Sequence, residues 1–328
     1  MSNTLELLLS TQFTALPANC KIYFCEELIF DGLVEKEMTL VHVFEETKNF
    51  KMKIIKTGKS IDLVDKHHQQ IIFIKNLKLN GIDLKIKEFG KFLTKENPYV
   101  NDQILQTDTM ALNGEWVFKL LSQPLVGSVD INNIKTRDKI EDCDVACFGC
   151  SNTYGSFLEK NESWPYQLGK ILDCKVNNFG VVASNLNEIT AFIEYYIKNF
   201  HTKLILLLMP HSMRRQLDKE NKILNIMPHH IENKNFIMHG EEHSVANLSM
   251  SLGSWFKNIK ININFGSYIA SEYNLMNKTP LQKYMLPFLD NNSYPKASDN
   301  LHFGAEYCKN YAKLIANFIL DTRSSITL

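Results

Sequence analysis

Near residue 142 the hydrophobic pattern of this 328-residue chain changes its period. Before that point apolar and polar residues alternate in short runs. After it, solid apolar runs alternate with longer helical stretches. Successive side chains of a strand point to opposite faces, whereas a helix repeats about every 3.6 residues. One packing cannot satisfy both patterns, so two domains are expected, as the length also suggests.

The first part reads as strands. Lys21–Phe24, Met38–Phe44, Phe50–Ile55 and Gln70–Ile74 alternate in the period of a half-buried strand. Leu77–Leu79 and Ile82–Ile86 flank Asn80-Gly81, a strong hairpin-turn signal. Gly114–Leu120 reads as a late strand. Many short strands with polar breaks predict an antiparallel β-sandwich over residues 1–122. Residues 123–141 read as an extended connector.

From 142 to 328 the pattern predicts an α/β domain of three α/β/α layers around a parallel sheet. Its strands are expected at Asp144–Phe148, Cys174–Asn178, Lys203–Met209 and Ile259–Ile263. Its helices are expected at Trp164–Leu172, Asn185–Phe200, Val245–Phe256, Leu281–Leu289 and Phe303–Leu320. Such folds place their sites beyond the C-terminal ends of the strands.

The bulk numbers exclude several classes. Lys plus Arg (36) balances Asp plus Glu (36), so the chain lacks the field of a general nucleic-acid or anionic-membrane binder. The longest strongly apolar run, Leu204–Met209, is too short to span a bilayer. The start, Met1-Ser2-Asn3-Thr4-Leu5-Glu6, lacks the basic and apolar regions of a secretory signal, so synthesis in the cytoplasm is expected. Seven cysteines without framework spacing suit a reducing compartment.

Two segments carry chemistry. The run Asp144–Phe148 breaks into Gly149-Cys150-Ser151-Asn152-Thr153-Tyr154-Gly155, which presents a serine at a strand end. Near the other end, Asp299-Asn300-Leu301-His302 places an acid and a histidine three residues apart before a helical run. Serine, histidine and acid are the minimum parts for nucleophilic acyl transfer. Ser151 would attack, His302 would take its proton, and Asp299 would fix the imidazole tautomer. A histidine base must be neutral, so activity is expected to fall below roughly pH 6.

The C-terminal part resembles the SGNH, or GDSL-type, hydrolases, a family of esterases, lipases and carbohydrate deacetylases. Its first block, Gly-Asp-Ser-x-Thr-x-Gly, is matched by Gly149–Gly155 except that Cys150 replaces the aspartate. Its last block, Asp-x-x-His, is matched by Asp299–His302. Its second block is matched by Asn178-Phe179-Gly180, which implies an oxyanion hole built from the Ser151 and Gly180 amides. The third block, Gly-x-Asn-Asp, is absent, and Met209-Pro210-His211-Ser212 stands in its place. A third donor is then His211, or Arg214, or none beyond the backbone. The resemblance implies an ester hydrolase that needs no cofactor and acts through a seryl acyl-enzyme. A β-sandwich fused to such a domain resembles carbohydrate esterases with an accessory module, so an O-acetylated glycan is the expected substrate. A lipid or small-acyl esterase and a catalytically inactive glycan-binding or structural protein are the competing readings.

Each motif also has a structural reading. Ser151 could be a helix cap, Asp299 could cap the last helix, and His302 could be a surface residue. Cys147 and Cys150 form a Cys-x-x-Cys pair with no second pair, and Cys147 reads as a small core residue. His239 and His243 are separated by a helix-weakening Gly240, and His67-His68 and His229-His230 read as solvated loops. Trp116, Tyr23, Phe24 and Phe118 read as sandwich core or as a platform for a sugar ring.

Overall fold

The computed structural model describes residues 2–13, 16–45, 49–58, 70–93, 104–111, 113–121, 130–210, 215–219, 222–226, 241–259 and 261–322. The chain divides into two compact units. One is Met1–Pro124 with Glu242–Ser254, and the other is Leu125–Glu241 with Trp255–Leu328.

The first unit holds two antiparallel sheets. Strands β1 (Asn3–Phe13), β2 (Ala18–Phe24), β3 (Glu27–Val34), β4 (Glu37–Phe44), β5 (Asn49–Thr57) and β6 (Gln70–Leu79) precede a short β7 (Ile82–Asp83) and one helical turn, α1 (Ile86–Phe89). Strands β8 (Lys91–Leu93), β9 (Ile104–Gln106), β10 (Thr109–Met110) and β11 (Gly114–Leu121) follow. One sheet has the order β10-β6-β1-β4, with β7 on β6, and the other β3-β2-β5-β11-β8-β9. Alternation dictates the core: Leu5, Leu7 and Leu9 of β1, Ile22 and Phe24 of β2, and Met52 and Ile54 of β5 are all buried.

Two departures from the sequence reading have plain causes. Gln70–Leu79 is one strand rather than two, because a register shift between Leu8 and Leu9 of β1 lets the β6 alternation change phase near Asn76. β3 went unforeseen because it lies at a sheet edge and is largely exposed, so it shows no buried-face period. Trp116, Phe118 and Phe24 are buried. They are core residues, and no face of these rings is open to a sugar.

The second unit is built on a parallel sheet. Its strands are β12 (Val145–Gly149), β13 (Val176–Gly180), β14 (Leu204–Met209) and β17 (Asn262–Ser267), in the order β13-β12-β14-β17. A hairpin, β15 (Arg215–Lys219) and β16 (Lys222–Ile226), intervenes in the chain. Every residue of β12 and β14 is buried, as expected of strands covered on both faces. Its helices are α2 (Ser151–Tyr154), α3 (Trp164–Leu172), α4 (Leu186–Asn199), α6 (Ala270–Met276) and α7 (Ala305–Thr322), whereas α5 (Glu241–Asn258) belongs from Glu242 to Ser254 to the first unit. Helices α3 and α7 pack with Val145, Cys147, Leu206 and Leu208 on one face of the sheet. On the other face Phe148 and Phe179 meet Phe192 and Tyr196 of α4.

The helix expected at Leu281–Leu289 is only a 3-10 turn, Pro280–Tyr284. Pro287 explains this, since proline clashes with a continuing helix and pushes its predecessor into extended backbone. The last strand starts three residues later than expected, at Asn262. Among the described residues no helix is long and apolar enough to cross a membrane.

Gly180 ends β13 directly beneath α2. A Cβ there would lie 2.2 Å from Tyr154 N and 2.7 Å from Thr153 C, both backbone atoms that cannot turn aside. Gly180→Ala is therefore expected to destabilise the fold by about 2 kcal/mol or more, read as a lower urea midpoint at unchanged m value.

Candidate active site

Strand β12 delivers the serine. In the order β13-β12-β14-β17, chain connections leave in opposite directions on the two sides of β12, so its C-terminal end is a topological switch point. There Cys150 is extended (φ −89°, ψ −154°) and Ser151 opens the single turn α2. Tyr154 N–H donates to Cys150 O at 2.9 Å, and Gly155 and Ser156 N–H donate to Ser151 O at 3.0 and 3.1 Å. The turn closes at Gly155 in the left-handed conformation (φ 78°), which glycine reaches without steric cost. Ser151 is 5% exposed. Its amide N–H meets no acceptor among the described residues.

The acid and the histidine occupy one tight loop before α7. Asp299 Oδ1 accepts the N–H groups of Leu301 and His302, each at 3.1 Å. Asp299 Oδ2 lies 2.5 Å from His302 Nδ1. Burial alone would raise the Asp299 pKa, but the hydrogen bonds from the His302 ring and the two amides outweigh it and hold the carboxyl at about 2. The carboxylate is thus ionised near neutrality, and the proton between the two groups belongs to Nδ1. In the neutral imidazole Nε2 is then left as the base. Asp299 caps its own loop and not α7, which starts six residues later at Ala305.

The two segments are tied to each other. Phe303 N–H donates to Asn152 Oδ1 at 3.3 Å. The residue after the histidine therefore bonds the residue after the serine. Phe303 itself is buried and its ring packs 4.1 Å from that of Tyr307. No hydrogen bond joins the Ser151 hydroxyl to the His302 ring among the described residues. Such bonds often tighten only once substrate is bound.

The Gly180 N–H, expected to face a developing oxyanion, donates to Asn178 Oδ1 at 3.0 Å. Asn178 Nδ2 in turn donates to Thr153 O at 2.8 Å, fastening α2 to β13. Three residues past Gly180, Ala183 holds a left-handed backbone (φ 62°), and its N–H has no acceptor among the described residues. His211 and Arg214 lie outside the described residues, as do His67-His68, His229-His230 and His239. Cys147 belongs to the hydrophobic core, where burial pushes its thiol well above the usual range and leaves it protonated. A cavity of about 510 Å³ adjoins the turn after β13 and is lined by Lys135, Tyr154, Val181, Ser184, Ile189 and Phe192, among others.

Sequence reasoning missed Asn152, Asn178 and Ala183. Asn178 closes an expected strand and so carries only a sheet signal, and Asn152 occupies a variable position of its motif. A positive φ at an alanine leaves no sequence signal.

No protein-family model and no curated protein matches the chain. Solved structures similar to it include an acetyl xylan esterase from the rumen bacterium Butyrivibrio proteoclasticus, at 10% identity over 98% of this chain and 88% of that one, with a TM-score of 0.34. A family two carbohydrate esterase from Clostridium thermocellum, in complex with cellohexaose, is 9% identical over 99% of this chain and 92% of that one, with a TM-score of 0.35. An SGNH-hydrolase family esterase is 17% identical over 57% of this chain and 99% of that one, with a TM-score of 0.32.

The Asp299 pKa, about 2 in the fold, lies below the unfolded value of about 3.9. The unfolded chain therefore binds more protons between these values, and stability from this group rises with pH there. It is complete above about pH 4 and lost as pH falls toward 2. Asp299→Asn keeps an oxygen for the two amides but cannot ionise. Urea midpoints followed from pH 5 down to 2.5 should fall less steeply in this variant than in the wild type.

Proposed function

We propose that this protein hydrolyses esters through a seryl acyl-enzyme. The observation that carries the reading is an ionised acid bonded to His302 Nδ1, on a loop hydrogen-bonded to the turn that presents Ser151. In the first half-reaction Ser151 Oγ bonds the ester carbonyl carbon as its proton passes to His302 Nε2. The tetrahedral oxyanion collapses, the bond to the alcohol oxygen breaks, and His302 returns the proton to that oxygen. In the second half-reaction a water molecule gives a proton to His302 Nε2 and its oxygen to the acyl carbon, the bond to Ser151 Oγ breaks, and His302 passes the proton to Oγ, which releases the carboxylic acid and restores Ser151.

The developing oxyanion would take the Ser151 amide. A second donor is the Gly180 amide once Asn178 Oδ1 releases it, or the unengaged Ala183 amide in the same turn. His211 remains a third candidate. No step requires a metal or an organic cofactor.

The substrate we favour is an acyl group, acetyl above all, on a carbohydrate. In this reading the two antiparallel sheets of the first unit form a β-sandwich that serves as an accessory module.

A fluorophosphonate probe should label the full-length wild type and fail to label Ser151→Ala. The same substitution should lower kcat on a short acyl ester by roughly 10⁴-fold or more. Equal labelling of both proteins sinks the reading. Faster turnover of long-chain than of acetyl esters would move the assignment to a lipid esterase.

A further inference from the structure

Phe157 is placed where a large apolar side chain has no folding reason to be. It is 63% exposed. Its backbone is left-handed (φ 63°), a region costly to bulky residues. Both neighbours are fastened. Ser156 N–H donates to Ser151 O at 3.1 Å and Leu158 N–H to Gly155 O at 3.2 Å. Arg137 donates to Leu158 O at 2.8 Å, and the Leu158 side chain packs on the hydrophobic core. The chain thus holds an aromatic side chain on a fastened turn, in strained backbone, with most of the residue open to solvent.

That ring lies beside the base. Its centroid is 5.6 Å from that of His302, with the planes inclined at 38°. In acyl transfer the imidazole must reach the oxygen of the departing alcohol, so the alcohol part of the ester lies on the histidine side of the scissile bond. On the ester-hydrolase reading, Phe157 beside that imidazole is thus placed to meet the alcohol part. Its openness to solvent suits a flat ring laid on one face and not a chain threaded into a slot.

The geometry points to Phe157 as the platform on which the ring of a pyranose alcohol stacks, with the C–H face of the sugar against the aromatic face. This rests on the ester-hydrolase reading and extends it, since it selects by the alcohol and is indifferent to the acyl group. Left-handed backbone at an exposed functional ring is a cost that folding does not recover by itself.

The test compares two acetyl esters that differ only in the alcohol, a methyl O-acetyl-glucopyranoside and ethyl acetate, on the full-length protein. Phe157→Asn removes the ring while tolerating left-handed backbone, and Phe157→Trp keeps an aromatic face. The asparagine variant should lose about three- to tenfold in kcat/KM on the sugar ester, mostly through KM, and change less than about twofold on ethyl acetate. The tryptophan variant should retain the sugar activity, and the asparagine variant should match or exceed the wild type in urea midpoint. An equal loss on both esters would overturn the proposal, because the ring would then only brace His302. No loss on either ester, or a lowered urea midpoint, would overturn it as well. If the wild type turns over no ester, the hydrolase reading fails on its own. The platform is then decided by a nuclear magnetic resonance titration with methyl glucopyranoside: a shift of the Phe157 ring signals sustains it, and their indifference removes it.

Discussion

One hydrogen bond between backbone and side chain, Phe303 N–H to Asn152 Oδ1, joins the residue after His302 to the helical turn α2 across 151 residues of chain. The rest of the proposed chemistry depends on it. A loop that carried Asp299 and His302 without this tie could form its internal pair and still be of no use to Ser151. Phe303 strengthens the tie from below, because its ring is committed to the core beside Tyr307. The histidine thus hangs between a residue fixed by packing and an acid fixed by two amides.

The serine turn is held by different means. β12 is an interior strand with every residue buried, and α2 follows it with one intervening residue. Gly180 lets the α2 backbone approach β13 closely, and Asn178 bonds Thr153 O across the same gap. Rigid strand ends and bonded turns suit a reaction whose gain comes from preorganised donors. Among the described residues, the engagement of the Gly180 amide by Asn178 must be released before that amide can serve an oxyanion.

Much of this was legible in the sequence. The change of period near residue 142 separated antiparallel sheets from a parallel one, and α3 was foreseen over its full span. The acid–histidine pair was readable because both residues belong to one short loop. Other features had no local signature. β1 has no clean sequence signature, because Leu8 between Leu7 and Leu9 makes a run of three leucines that blurs the alternation its burial follows. α6 is seven residues long, too short for a clear helical period. Asn152 gained its role from a partner far along the chain, which no pattern within a window can reveal. Phe157 is the instructive case: its sequence neighbourhood is ordinary, and only exposure and backbone conformation set it apart.

The grouping of Glu242–Ser254 with the N-terminal sheets makes both compact units discontinuous in sequence. Within the first of them Ser249 accepts a hydrogen bond from Asn80, which also bonds Asn3, and Met250 and Leu252 are buried. Chains usually fold from the N-terminus as they leave the ribosome, domain by domain. Here the early sheets emerge long before the helical segment that completes them. Between those two moments they must persist unfinished, with part of their apolar surface open to water and to chaperones.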